Sequence, residues 1–249
     1  MTKTVLVTGA GRGIGAAIAR AAGRAGYRVA VNYARSKDAA EALVGEIKQH
    51  GGEAIAIQGD VGIEGDVERL FKAVDERFGR LDALVNNAGI IGPYGKLEAL
   101  KAKDVEALLA INVTGAIICA REAVRRMSTA RGGQGGVIVN ISSAATTLGS
   151  PNEFIAYAAS KGAINSMTIG LAKEVGNEGI RVNAVEPGLI DTEIHEVAGP
   201  SGRLSRLTPS VPLDGRAGTV DEVAGPVLFL MSEAASYMTG AIIRIGGGR

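Results

Sequence analysis

Tyr157 and Lys161 stand four residues apart in Tyr157-Ala158-Ala159-Ser160-Lys161, a stretch of strong helical propensity. On a helix that spacing sets both side chains on one face. A phenol ordinarily titrates near about 10, too high for ready proton exchange at neutral pH, and a cation held beside it favours the phenolate. The pair therefore reads as a proton donor or acceptor that carries its own cation. Upstream, Ser142 and Ser143 close the apolar run 136–141, and either hydroxyl could polarise a substrate oxygen.

A second group lies near the start, where Val5-Leu6-Val7 leads into Thr8-Gly9-Ala10-Gly11-Arg12-Gly13-Ile14-Gly15. Glycines at a strand-to-helix turn permit a tight bend, close approach to a pyrophosphate and close packing of helix on strand. The helix N-terminus adds amide donors and a positive dipole. The spacing here is Gly9-x3-Gly13-x-Gly15, which departs from G-x-G-x-x-G. At the end of the second strand, where an acidic residue holds the ribose hydroxyls in NAD enzymes, the chain reads Val31-Asn32-Tyr33-Ala34-Arg35-Ser36-Lys37, with no carboxylate before Asp38. Arg12 and Arg35 could meet a 2′-phosphate by bidentate hydrogen bonding, or be ordinary surface charges. The joint pattern favours NADP(H), with NAD(H) possible.

These residues need a scaffold, and the hydrophobic pattern supplies one. Short β-branched runs at 5–8, 28–32, 54–58, 81–85, 136–142, 181–186 and 241–245 alternate with helical patterns at 14–25, 36–50, 64–78, 103–130, 155–177 and 219–232. Strands apolar on both faces, alternating with helices, predict an α/β Rossmann-type fold: a doubly wound, seven-stranded parallel sheet with helices on both faces. No linker, charge block or repeat interrupts residues 1–249, so one dinucleotide-binding and catalytic domain is expected. Long loops follow the fourth and sixth strands, at 90–102 and 188–218, on the edge of the sheet where ligands bind.

Composition excludes several other classes. The 36 glycines among 249 residues are about twice the usual share of roughly 7%, yet they are scattered among apolar stretches, which argues against low complexity. Lys plus Arg is 27 and Asp plus Glu is 26, so nothing suggests capture of nucleic acid. Cys119 is the single cysteine, expected as a buried thiol, and no Cys or His cluster has metal-ligand spacing. The N-terminal apolar run is too short for a secretory signal, and no stretch reads as a membrane span. A cytoplasmic location without membrane contact is expected.

The glycine turn resembles the Thr-Gly-x3-Gly-x-Gly turn of the short-chain dehydrogenase/reductases, and further matches follow in that family's order. They are Asp60-Val61, Asn86-Asn87-Ala88-Gly89, Asn112, Ser143, Tyr157-x3-Lys161 and Pro187-Gly188-x3-Thr192. The resemblance implies hydride transfer between a nicotinamide and a carbonyl or secondary alcohol, with Tyr157 as general acid or base. Ser143, preferred over Ser142, would hold the substrate oxygen. Lys161 would bind the nicotinamide ribose and lower the Tyr157 pKa, and Asn112 would help hold a relay water.

By the same resemblance Gly9, Gly11, Arg12, Gly13, Ile14, Asn32 and Arg35 would bind the cofactor's phosphates and ribose. Asp60 and Val61 would meet the adenine, and Asn87, Ala88 and Gly89 the adenosine ribose; for Asn86 a brace between strands is at least as good a reading. Pro187, Gly188, Ile190 and Thr192 would frame the nicotinamide. Substrate preference would reside in 91–95, 144–154 and 189–216. In the last segment Glu193, His195, Glu196, Arg203 and Arg206 read mostly as a solvated face.

The chain looks closest to sugar-dehydrogenase and 3-oxoacyl-reductase-like members; an enoyl reductase fits less well, because that branch usually has a longer Tyr-to-Lys interval. A homotetramer is expected, packed near 113–130, 158–175 and 234–245. The rival reading is a catalytically silent dinucleotide sensor or scaffold. Asn112, Ser143, Tyr157 and Lys161 together speak against it, since a binding module needs no proton relay.

Overall fold

The computed structural model describes residues 2–193, 199 and 201–249. Seven strands are present: β1 Thr4–Val7, β2 Arg28–Tyr33, β3 Glu53–Gln58, β4 Ala83–Asn86, β5 Gly136–Ile141, β6 Ile180–Pro187 and β7 Ile242–Ile245. They form one sheet in the order β3-β2-β1-β4-β5-β6-β7, every pair parallel. Each expected strand is found, its ends within two residues of those expected.

Helices cover both faces. Among them are α1 Gly13–Arg24, α2 Lys37–Gln49, α3 Glu64–Phe78, α4 Ala102–Leu109, α5 Ala116–Met127, α6 Ala145–Leu148, α7 Ile155–Val175, α8 Arg203–Leu207 and α9 Val220–Met231. The two-residue period of a strand divides β1 between two cores. Val5 and Val7 join Ile18, Leu43 and Leu230 under α1, α2 and α9. Leu6 faces the other way, with Phe71, Leu84, Met127 and Ile138 under α3 and α5. Burial of both faces is why the strands read as continuous apolar runs.

Two expectations need correction. The pattern 103–130 reads as one helix, but a π-helical turn, Ala110–Gly115, separates α4 from α5. Its causes are distant in sequence. A Cβ on Gly115 would stand 2.6 Å from the Val61 carbonyl oxygen, and the Asn112 side chain is drawn to the backbone of Ile90. The second correction concerns membranes. Within the 26-residue helical run Ala102–Met127, an 18-residue stretch with a mean hydropathy of 1.6 is by length and composition apolar enough to span one. Its buried residues, Leu108, Cys119, Ala120, Ala123 and Met127 among them, belong to the protein core.

The sheet order reverses direction between β2-β1 and β4-β5, so the connections leaving β1 and β4 part to opposite faces. That opens a crevice beyond the carboxyl ends of both strands.

Candidate active site

The crevice is a cleft of about 850 Å³. Every residue expected to bind cofactor borders it, as do Ser143, Tyr157 and Lys161. Asn112 does not line it but stands directly behind. Lining residues that the motifs did not single out include Tyr33, Ser36, Gly59, Ile111 and Arg249. Ser36 immediately precedes α2 and gives that helix no side-chain cap.

At the glycine turn, Gly9 and Gly13 adopt φ of +61° and +57°, which side chains other than glycine's rarely tolerate. A Cβ on Gly15 would lie 2.4 Å from Asn87 Nδ2 and 2.7 Å from the Gly9 carbonyl oxygen. Beyond Gly13 the space is open, its nearest neighbour being Thr192 Cγ2 at 3.8 Å from an added Cβ. The turn is thus tight against the protein and vacant toward the cleft. α1 starts here with no side-chain cap and no acidic residue in its first turn, leaving its N-terminus suited to an anion. A phosphate-bearing dinucleotide fits these features.

Three side chains hold the turn in shape. Thr8 Oγ1 accepts from the backbone N–H groups of Asn87 and Ala88, each at 3.0 Å, tying β1 to β4. Asn87 Nδ2 donates to the carbonyls of Thr8 and Gly9 at 2.8 and 3.0 Å. Asn32 Oδ1 accepts from the Gly9 N–H at 3.1 Å while its Nδ2 donates to the Gly59 carbonyl at 3.0 Å. Asn32 and Asn87 therefore border the cleft, but their side chains are engaged with protein backbone and brace the turn. Asn86 donates to Asn140 Oδ1 and the Ala116 carbonyl, the inter-strand brace weighed for it from sequence. Asp60 Oδ1 accepts from the Gly62 N–H at 2.9 Å, which fixes its carboxylate at the cleft edge. Arg35 is exposed at the end of β2, and Arg12 reaches across to Glu193 at 3.2 Å.

The other end of the cleft carries the proton-transfer groups. Ser142 and Ser143 point apart. Ser142 Oγ donates to the Lys161 carbonyl inside the protein at 3.2 Å, whereas the Ser143 hydroxyl hydrogen-bonds the phenol of Tyr157. The Ser142 hydroxyl is thus held by the protein, and the Ser143 hydroxyl is the one beside the phenol. Lys161 Nζ donates to the Ile141 carbonyl at 2.8 Å and lies 5.7 Å from the centre of the Tyr157 ring.

The electrostatics correct a further expectation. Burial pushes the Lys161 ammonium down to about 8. The Tyr157 phenol is raised, chiefly by burial, against the opposing pull of the Ser143 hydrogen bond and the Arg203 charge. In the free cleft, then, burial raises the phenol and Lys161 does not offset it; the Lys161 ammonium is itself pushed down by burial and turned to a strand carbonyl. Asn112, expected to hold a relay water, uses its side chain elsewhere: Oδ1 accepts from the Ile90 N–H and Nδ2 donates to Ile90 O and Ser160 Oγ. It locks the end of β4 to α7, next to Lys161.

Past Pro187, the Gly188 N–H donates to the Ile245 carbonyl, and a Cβ there would meet Gly246 Cα at 2.6 Å. Ile190 is buried and bridges to Gly218, and Thr192 Oγ1 sits 3.5 Å from the Ile190 carbonyl. Arg203 departs from the solvated face expected of it. Its side chain is only 10% exposed and pairs with Glu153 at 2.9 Å, with its guanidinium 5.2 Å from the Phe154 ring centre. Arg206 joins the same carboxylate at 2.5 Å. His195 and Glu196 lie outside the described residues.

A family model described as Enoyl-(Acyl carrier protein) reductase matches residues 9–249. The chain is 47% identical over 244 residues to an uncharacterized oxidoreductase, YgfF, of Escherichia coli (strain K12), covering 98% of each. It is 40% identical over 248 residues to the 3-oxoacyl-[acyl-carrier-protein] reductase FabG of Staphylococcus aureus (strain Mu50), covering 100% of this chain and 98% of that one. Among solved structures, a short chain dehydrogenase from Burkholderia cenocepacia J2315 in complex with NADP superposes with a TM-score of 0.90 at 37% identity, over 99% of this chain and 97% of that one. A blue fluorescent protein from a metagenomic library, in complex with NADPH, matches with a TM-score of 0.90 at 36% identity and the same coverage.

Proposed function

The chain belongs to the short-chain dehydrogenase/reductase family of oxidoreductases, and we propose that it uses NADP(H) to interconvert a small carbonyl compound and its secondary alcohol. The observation that carries this reading is the meeting of Tyr157, Ser143 and Lys161 at one end of a cleft whose other end is a glycine turn under a helix N-terminus.

The nicotinamide, when bound, supplies or accepts the hydride. Ser143 holds the substrate oxygen by a hydrogen bond and polarises it. Tyr157 gives that oxygen its proton in reduction and removes it in oxidation. Lys161 holds the nicotinamide ribose, and binding there would turn its ammonium from the Ile141 carbonyl toward the ligand. Ile190 and Thr192 frame the ring. Arg35, with Arg12 once released from Glu193, would meet the 2′-phosphate. NADP and NADPH in two similar solved structures support that choice of cofactor.

Of the two reactions named among the relatives, carbonyl reduction is favoured over reduction of a carbon–carbon double bond. The 3-oxoacyl reductases at 40% identity and the four-residue Tyr157-to-Lys161 interval support it. The assembly we propose is a homotetramer, supported by apolar side chains left exposed in the expected packing segments, Ile117 on α5, Ile169 on α7 and Tyr237 before β7. A monomer in light scattering at micromolar concentration overturns that part.

The decisive experiment is a panel of ketones, 3-oxoacyl thioesters and alcohols followed by nicotinamide absorbance, with NADP(H) and NAD(H), for the wild type, Tyr157→Phe and Arg35→Ala. Turnover lost in Tyr157→Phe with NADPH binding retained is the expected result. A wild type and Tyr157→Phe equally inactive overturn the catalytic reading, and a wild-type preference for NAD(H) overturns the cofactor assignment.

A further inference from the structure

We propose that Glu186 is a positioning residue whose carboxylate sets the turn presenting Ser143 against the helix carrying Tyr157; this rests on the catalytic reading above. Glu186 precedes Pro187, the last residue of β6, and is 5% exposed. A carboxylate so enclosed is tolerated only when its oxygens are hydrogen-bonded or paired. Its partners come from three separate elements. Oε1 accepts from Thr146 Oγ1 at 2.5 Å, on α6, and from Asn165 Nδ2 at 2.7 Å, on α7. Oε2 accepts from Arg244 Nε and Nη2 at 2.9 and 2.6 Å, on β7.

Two of these contacts lead straight to the reacting groups. Thr146 belongs to the short turn that follows Ser143, and its N–H donates to the Ser143 carbonyl at 3.1 Å. The Ala145 N–H of the same turn donates to Ser143 Oγ at 3.1 Å, so the turn also orients that hydroxyl. Asn165 lies one helical turn after Lys161 and two after Tyr157 on α7. Its Nδ2 faces Glu186 while its Oδ1 is buried without a partner, an orientation that an anionic acceptor imposes. Arg244 closes the set from the far side, and its Nη2 also donates to Thr147 Oγ1 at 2.8 Å. An ion pair serving only to join β6 and β7 would need Arg244 alone. The contacts to Thr146 and Asn165 make Glu186 the shared reference for both halves of the Ser143–Tyr157 pair.

The test compares Glu186→Gln and Thr146→Val, each alone and combined with Ser143→Ala, in the full-length protein. Losing a hydrogen bond to a charged group in this frame should lower kcat on the best ketone or thioester substrate by about tenfold, with the NADPH dissociation constant unchanged. Thr146→Ser, which keeps the hydroxyl, should restore the rate. In the Ser143→Ala background neither substitution should lower kcat further, because groups acting through one another are not additive. Independently of turnover, the Tyr157 phenol can be titrated by ultraviolet difference against Tyr157→Phe. Glu186→Gln and Ser143→Ala should each raise it, and the double variant should raise it no more than Ser143→Ala alone.

Losses that multiply in the Ser143→Ala background, or a phenol titration indifferent to Glu186, overturn the proposal. If Glu186→Gln does not fold, Thr146→Val decides by the same two readouts. Should the wild type show no Tyr157-dependent turnover, the catalytic reading fails while the phenol titration still judges the role of Glu186.

Discussion

Lys161 Nζ donates to the carbonyl oxygen of Ile141 at 2.8 Å, so the cation of the site is tethered to the strand that delivers Ser143. Its burial gives a pH signature. With its pKa pushed down to about 8 from an ordinary value of 10.5, Lys161 is mostly neutral in the folded protein between those values while the unfolded chain still binds the proton. In that window the unfolded state holds more protons, so this group makes stability rise with pH; below about 8 its penalty is constant. Urea denaturation of wild type and Lys161→Met, at about pH 8 and about pH 10, should show the wild type gaining relative to the variant. A parallel pair of curves refutes the assignment.

Gly15 and Gly45 should respond oppositely to alanine. At Gly15 the new Cβ collides with Asn87 Nδ2 and the Gly9 carbonyl, so the brace on the glycine turn must shift at a cost of about 1–3 kcal/mol. NADPH affinity should fall with it. Gly45 sits inside α2 with nothing within 4 Å of an added Cβ, where alanine should stabilise by about 0.5–1 kcal/mol through helix propensity. Thermal midpoints and NADPH titrations of both variants check this.

Arg203→Ala should loosen the wall of the cleft formed by α8. The ion pair to Glu153 and the stacking over Phe154 are largely shielded from water, so their loss should destabilise by about 1–3 kcal/mol. Because Arg203 also favours the Tyr157 phenolate, the alkaline limb or midpoint of the kcat profile should move to higher pH in the variant. An unchanged profile would separate Arg203 from the proton transfer.

Cys119 packs in the core under α5, and burial pushes its thiol up to about 12. The thiolate is the reactive form, so the native protein should not react with an aromatic disulfide reagent at neutral pH and should release one equivalent on unfolding. Rapid reaction of the native protein would contradict the burial.

Much of this was legible in the sequence because it rests on local pattern. Strands apolar on both faces announced a covered parallel sheet, and the glycine turn and Tyr157-x3-Lys161 fell where the elements required. What escaped detection depends on partners far away in the chain. The break at Asn112 answers to Ile90 and to the backbone of Val61. Asn32 and Asn87 are polar residues at a ligand cleft, and from sequence nothing separates contact with a ligand from contact with the Gly9 backbone. Arg203 is drawn out of solvent by Glu153 and Phe154, some fifty residues earlier. The cation expected to lower the phenol is itself pushed down to about 8 by burial, a shift that pattern reading cannot supply.

The segment 188–218 is anchored at each end. Near its start and finish the Gly218 N–H donates to the Leu189 carbonyl and the Asp191 N–H to the Gly218 carbonyl, while the Leu213 N–H donates to Gly247 beside β7. These anchors are main-chain bonds, indifferent to side-chain identity. Side-chain changes between these fastenings can therefore reshape the cleft wall that Arg203 forms while the main-chain anchoring of the loop is kept.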